Sequence, residues 1–207
     1  MKPVAIGVRV HSGWGALVAV AGKSGAEEVL ERRRVIIADP GTIGSKQPYH
    51  HAAQLQPVAA RHHLEKCATG SGLLAVQAIK DIQSDLQAGE FTLVSAGLLL
   101  SSAKPLPALD AILSSHPLIH TAEGEFFREA FHHAFIGLKI AVTCIREKEL
   151  EQHAAKIFGT VTGIRQRMND MGRLIGPPWT QDEKAAALAA AIVLAQSGRK
   201  AAAEWKS

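Results

Sequence analysis

The stretch VAIGVRVHSGWGALVAV, residues 4–20, indicates how this chain begins to fold. Small and β-branched apolar residues form two runs, and the Gly-Trp-Gly segment at 13–15 separates them, which is typical of two antiparallel strands in a hairpin. Arg9 is the only Arg, Lys, Asp or Glu in this stretch, and it lies near the end of the first strand. The hairpin is therefore apolar except near its turn, where it carries a guanidinium.

Three further segments complete a predicted sheet. Residues 29–38 form a third strand after the turn at 22–25, and residues 140–145 form a short buried strand. The segment 91–100, FTLVSAGLLL, is apolar on both faces, as expected of a central parallel strand. Helical patterns lie at 57–88, 107–114, 122–138, 147–158 and 180–196. This order predicts an α/β fold with a mixed five-stranded sheet, in which three antiparallel strands precede two parallel strands with flanking helices.

The chain length predicts one α/β domain spanning residues 1–207, because this many residues can bury a full core. Residues 40–56 are expected to form a loop, and residues 159–179 a connecting segment. The Gly-Ser-Gly at 70–72 is a candidate break in the first long helix.

Composition excludes some classes of protein. With 47% hydrophobic and 20% charged residues the chain is expected to be globular, and its net charge of +4 is compatible with a polyanionic partner. No apolar run reaches the roughly 18–20 residues of a membrane span, and no signal-peptide pattern is present. Cys67 and Cys144 lack CxxC spacing and are expected to be buried free thiols. We therefore expect a cytoplasmic protein without a membrane partner.

The order of elements resembles the ribonuclease-H-like superfamily, and the second half is similar to the bacterial RuvC-type junction resolvases. The matching pieces are the helix at 122–138, KIAVTCIREKEL at 139–150, the helix ending at Phe158, and TQDEKAAALAAAIVLAQ at 180–196. The resemblance implies a nuclease that holds two divalent metals with carboxylates from the first strand, the fourth strand and the last helix. Such metals activate water and stabilise the leaving oxygen.

Most of those carboxylates are missing from this chain. The first-strand position falls on Arg9 and the fourth-strand position near Ser95; in the last helix Asp182 matches, but its partner position holds Ala185. One carboxylate beside an arginine cannot hold two Mg²⁺ ions, because hard cations need several anionic oxygens. The sequence therefore predicts a degenerate nuclease site, a pseudo-nuclease without a cofactor rather than an enzyme.

The function that follows is a non-catalytic module that binds nucleic acid or a protein partner. Arginine can bind phosphate through two parallel hydrogen bonds. The candidate phosphate contacts are polar and basic side chains near the first turn, in the third strand and in the connecting segment: Arg9, His11, Ser12, Arg32, Arg33, Arg34, Arg165 and Arg167. For the triplet at 32–34, a solvated strand edge or strand end is the simpler interpretation.

The alternative is a junction-resolvase-like nuclease that depends on Mg²⁺ or Mn²⁺ and uses a rearranged carboxylate set. Its candidate acids are Asp39, Glu123, Glu125 and Asp182. Glu123 and Glu125 are also explained as favourable charges at the start of a helix capped by Thr121. Asp182 suits the first turn of the last helix, which begins with the capping-box pattern Thr-x-x-Glu from Thr180.

A second resemblance concerns the first hairpin, the basic third strand and the loop before the first long helix. These features are similar to the middle domain of archaeal and eukaryotic-type peptide release factors, which implies a ribosome-binding module. The sequence contains no GGQ loop, so peptide release itself is not predicted.

The chain has ten histidines, of which six form adjacent pairs at 50–51, 62–63 and 132–133. Adjacent residues on a helix point in different directions, so a pair does not supply two ligands to one ion. His116 and His120 are four residues apart, but Pro117 argues against a helix that joins them. The sequence therefore predicts scattered histidines and no metal site.

Overall fold

The computed structural model of the chain describes residues 1–23, 26–101 and 105–204. In these ranges five strands form one mixed sheet: β1 (Lys2–His11), β2 (Trp14–Lys23), β3 (Ala26–Ile36), β4 (Phe91–Leu100) and β5 (Val142–Arg146). Their order is β3-β2-β1-β4-β5; β1–β2 and β2–β3 are antiparallel, and β1–β4 and β4–β5 are parallel. The predicted mixed five-stranded sheet is confirmed.

Helices cover both faces of the sheet. In the described ranges they are α1 (Pro48–Ala52), α2 (Pro57–Ala88), α3 (Leu109–Leu113), α4 (His116–Gly137), α5 (Leu150–Phe158), α6 (Val161–Ile175) and α7 (Gln181–Glu204). A 3₁₀ turn, Glu147–Glu149, joins β5 to α5. Helices α2 and α4 pack on one face, and α5, α6 and α7 on the other. None of these described helices combines the length and apolarity that crossing a bilayer requires.

The side chains of β1 alternate between the two cores. Every second residue packs against α2 and α4: Val4, Ile6, Val8 and Val10. Ala5 faces the opposite core, which α7 covers. Because successive strand residues point to opposite faces, Arg9 lies on the face of Ala5. Its guanidinium therefore meets the beginning of α7, where the apolar packing ends.

Two strand glycines allow α7 to lie directly against the middle of the sheet. A Cβ atom added to Gly7 of β1 would overlap the carbonyl oxygen of Ala186 and stand 2.8 Å from the backbone nitrogen of Ala190. A Cβ atom on Gly97 of β4 would stand 2.9 Å from the carbonyl oxygen of Ala189. This close contact explains why the buried face of α7 consists largely of alanine.

The two segments predicted as loops each contain a helix. The segment 40–56 includes α1, and the segment 159–179 includes α6. Thr160 caps α6 by accepting a hydrogen bond from the Gly163 backbone nitrogen at 3.2 Å, and Gly176 follows its last residue with a φ of +74°. The predicted loop therefore contains one short helix, and the predicted connecting segment is largely helical.

Two further expectations about helices were wrong. Helix α2 is continuous across Gly70-Ser71-Gly72. This part of the helix is packed against the rest of the protein: Ser71 is buried, and a Cβ atom on Gly70 would stand 3.1 Å from the Cβ atom of Asp39. Helix α4 begins at His116 rather than near Ala122, with Pro117 in its first turn, where the missing N–H of proline costs nothing. Thr121 is therefore an interior residue, and its hydroxyl donates to the Pro117 carbonyl at 3.1 Å.

Candidate functional site

The end of β1 contains an ion cluster centred on Arg9. The Nη2 and Nε atoms of Arg9 donate to the two carboxylate oxygens of Glu147, at 2.9 and 3.3 Å, and Nη1 donates to Asp182 Oδ1 at 2.6 Å. The three side chains are 25–34% exposed, so water reaches them only in part. One guanidinium thus satisfies two carboxylates from distant parts of the chain.

Each member of the cluster comes from the end of a different element. Arg9 lies near the end of β1, Glu147 directly follows β5, and Asp182 is in the first turn of α7. Parallel strands β1, β4 and β5 end at the same edge of the sheet, so groups that follow them converge there. The capping box fixes the start of α7: the Thr180 backbone nitrogen donates to Glu183 Oε2 at 2.6 Å, and the Glu183 nitrogen donates to Thr180 Oγ1 at 3.3 Å.

The neighbouring carboxylates stabilise the charged form of Arg9. Its hydrogen bond to Glu147, with the attraction of Glu147 and Asp182, raises the pKa of the guanidinium above its ordinary value despite partial burial. The cluster therefore holds a permanent cation between two acids. Arg9 thus supplies positive charge to both carboxylates through charge-assisted hydrogen bonds.

His11, Trp14 and Arg34 form a stack beside this cluster. The His11 and Trp14 rings are stacked with centroids 4.4 Å apart, and the Arg34 guanidinium lies 3.9 Å from the centroid of the Trp14 ring. His11 Nε2 is 3.1 Å from Asp182 Oδ1, although the geometry does not make a hydrogen bond. The stack therefore connects the ion cluster to the exposed side chain of Arg34 on β3.

The fourth-strand position next to Arg9 is apolar. Val8 of β1 pairs with Leu98 of β4, so the residue level with Arg9 is Leu99, which is fully buried. Ser95 instead pairs with Ala5, which lies four residues before Arg9 on β1. The Ser95 hydroxyl accepts a hydrogen bond from Ser197 Oγ at 3.1 Å. Ser95 therefore does not lie level with Arg9, and Leu99, which does, offers no ligand atom.

The other predicted phosphate contacts have varied environments. Arg32 donates to the carbonyls of residues 176–178, and Arg33 pairs with Glu31 and Asp85. Arg165 pairs with Glu151 at 3.0 Å, and Arg167 with Glu27 at 3.0 Å. Ser12 is exposed in the turn after β1. Within the described residues Arg34 has the aromatic contact with Trp14 and no carboxylate partner.

The structure separates the acids proposed for a rearranged metal set. Glu123 is buried and binds His50; Glu125 accepts hydrogen bonds from Ser101 and Arg128; Asp39 binds within its own loop; and Asp182 binds Arg9. The first three therefore do not join Asp182 at Arg9. The acid that does is Glu147, which directly follows β5 and was not selected from the sequence.

The prediction that residues 140–145 form a buried strand was wrong, because β5 lies at the sheet edge with Thr143 and Cys144 exposed. Cys144 is therefore not the buried thiol that was expected, whereas Cys67 is buried.

Comparison with known proteins supports the fold. No family model and no curated protein matches the sequence. Among solved structures, Thermus thermophilus RuvC in complex with a Holliday junction substrate has a TM-score of 0.52 and 11% identity, covering 92% of each chain. A Thermus thermophilus RuvC structure also has a TM-score of 0.52, with 12% identity over 95% of this chain and 96% of that one. The chain therefore has a ribonuclease-H-like α/β fold with the topology of RuvC.

Proposed function

We propose that this protein is a non-catalytic nucleic-acid-binding domain, in which the Arg9–Glu147–Asp182 cluster replaces the metal site expected of its fold. The observation that carries the proposal is the position of Arg9, whose guanidinium binds both acids directly. A pair of divalent ions needs several anionic oxygens, and the neighbouring position on β4 is the apolar Leu99. The residues present therefore do not fit a two-metal centre.

The stack of His11, Trp14 and Arg34 supports a role in binding. Arginine over an aromatic ring presents a rigid cation and a flat face, both of which suit phosphates and unpaired bases. Arg34 is exposed and the Trp14 ring is partly exposed, so a ligand can reach both. The net charge of +4 is also compatible with a polyanionic partner such as nucleic acid.

Branched DNA is the first probe because one of the similar solved structures, that of Thermus thermophilus RuvC, contains it. That RuvC structure contains a Holliday junction substrate, and the similarity covers 92% of this chain. Fluorescence anisotropy with a four-way junction, a matched duplex, a single strand and an RNA would define which nucleic acid is preferred. We expect binding at low salt that weakens as salt increases and needs no divalent ion.

Arg34→Ala tests the binding surface. We expect affinity to fall about 3- to 10-fold, and the slope of log K against log salt to decrease by about one if Arg34 contacts a phosphate. Arg173→Ala is a matched control, because Arg173 is an exposed arginine on α6 with its own acidic partner, Asp170. Its loss should leave binding to within about twofold of the wild type.

Three outcomes would overturn the proposed function. Absence of binding to every probe at low salt would remove nucleic acid as the partner and favour a protein ligand instead. An equal loss in the Arg34 and Arg173 variants would show nonspecific charge attraction only. Cleavage of the junction with Mn²⁺ or Mg²⁺ that Asp182→Ala abolishes would establish the metal-dependent nuclease.

A further inference from the structure

Three histidines from two helices converge at a place unrelated to the Arg9 cluster. His50 lies in α1, and His116 and His120 lie in the first two turns of α4. One ring nitrogen from each lies within 4.8 Å of the others, the only such group of three histidine, cysteine, aspartate or glutamate side chains in the described residues. The i, i+4 spacing puts His116 and His120 on one face of α4.

The rings face one another at short range. Centroids are 4.7 Å apart for His50 and His120, 5.4 Å for His50 and His116, and 4.5 Å for His116 and His120. Three imidazoles gain little by packing together in a place where two of them, His116 and His120, are exposed to water. Once protonated they repel one another, whereas neutral rings that share a cation attract it together.

A buried carboxylate orients His50. Glu123 is only 1% exposed, and its Oε1 accepts a hydrogen bond from the His50 backbone nitrogen at 3.1 Å and lies 2.8 Å from Nδ1 of the same residue. A carboxylate accepts hydrogen bonds, so we assign the ring proton to Nδ1, which leaves Nε2 with a free lone pair. Carboxylate–histidine pairs of this kind commonly hold metal-binding imidazoles in place and increase their basicity.

We propose that His50, His116 and His120 bind a transition-metal dication of the Zn²⁺ class, with Glu123 as the positioning residue for His50. Neutral imidazoles suit Zn²⁺ and Co²⁺, whereas Mg²⁺ prefers oxygen ligands. Tetrahedral Zn–N bonds of about 2.0–2.1 Å place ligand nitrogens about 3.4 Å apart, so the rings move inward by rotamer adjustment. The fourth position opens to solvent and takes water. The ion links α1 to the start of α4.

The test uses tag-free protein stripped with EDTA and titrated with Zn²⁺ by calorimetry, with Co²⁺ absorption as a second measurement. We expect one equivalent of Zn²⁺ to bind with micromolar or tighter affinity, and Co²⁺ to give the intense visible bands of tetrahedral coordination. Zinc should also raise the melting temperature, because it binds only the folded arrangement. Mg²⁺ should produce neither effect.

Variants identify the ligands. His116→Ala and His120→Ala change exposed side chains, so both should fold and lose at least about 10²-fold in Zn²⁺ affinity. Glu123→Gln should weaken binding about 10- to 100-fold, because the amide holds the His50 ring less firmly. His133→Ala is the matched control: it changes an exposed histidine on the same helix and should bind Zn²⁺ like the wild type.

Circular dichroism of each variant separates metal loss from unfolding. Failure of the stripped wild type to bind Zn²⁺ would overturn the site. Full affinity in both His116→Ala and His120→Ala, or an equal loss in His133→Ala, would show that these three histidines do not form it. Neither result would affect the proposed nucleic-acid binding, because the two proposals rest on different residues.

Discussion

Gly7→Ala should destabilise the fold by about 3 kcal/mol or more, which corresponds to a melting temperature lower by about 6–12 °C. The new Cβ atom would overlap the Ala186 carbonyl oxygen in α7, and backbone cannot rotate out of the way as a side chain can. Helix α7 would have to move away from β1, β2 and β4, which it contacts over much of its length. Thermal and urea unfolding of the purified variant would measure the loss.

Two further glycines make this experiment specific. Gly97→Ala should cost less, about 1–2 kcal/mol, because its Cβ atom would stand 2.9 Å from the Ala189 carbonyl oxygen. Gly72→Ala is the control inside α2: nothing lies within 4 Å of its Cβ position, so alanine should stabilise the helix by about 0.4–1 kcal/mol. If Gly7→Ala melted like the wild type, α7 would not lie as closely on the sheet as described.

The strands could be predicted because their signals are local. Runs such as residues 4–10 and 91–100 consist almost entirely of apolar residues that suit a buried sheet, and glycine turns separate the first strands. The order of strands and helices then restricts the topology to few solutions. Strand ends were less certain, because β1 and β2 continue beyond their apolar residues.

Helix α6 was missed because its composition conceals an amphipathic pattern. Gly163 and Gly172 lower its intrinsic helix propensity, and its exposed face is strongly polar. Yet Ile164, Met168 and Met171 recur at helical spacing and are buried against the neighbouring helices. Gly172 is required because the Trp179 ring lies against it. Tertiary packing of one apolar face therefore outweighs propensity here.

The candidate site was only partly predictable. Arg9 and Asp182 could be placed at one sheet edge by resemblance, and the structure brings them together. Glu147 could be placed at that edge because it directly follows a strand. Its pairing with Arg9, however, requires side chains that reach across β4, which sequence periodicity does not predict. The His116–His120 pair was excluded because proline was treated as a helix breaker, although it is favourable in a first turn.

Arg9→Asp should make the stability of the protein depend on a divalent metal ion bound at the ion cluster. The change removes both ion pairs of Arg9 and places a third carboxylate beside Glu147 and Asp182. Without metal we expect a loss of about 2–4 kcal/mol, reduced from the cost of a fully buried pair because the group is about one quarter exposed. Several anionic oxygens at one point suit a hard cation, so Mg²⁺ at ten times its Kd should restore about 1.4 kcal/mol.

The controls separate charge removal from carboxylate addition. Arg9→Met removes the cation and adds no ligand, so it should be destabilised and should respond to Mg²⁺ less than Arg9→Asp, because it offers two carboxylates rather than three. The wild type should not respond, because its carboxylates already bind Arg9. Melting curves of the three proteins with EDTA, with Mg²⁺ and with equal ionic strength of NaCl would distinguish specific binding from screening. A wild type that melts at a higher temperature in Mg²⁺ than in NaCl would show that divalent ions bind despite Arg9. Since the non-catalytic function depends on that exclusion, such a result would favour the nuclease instead.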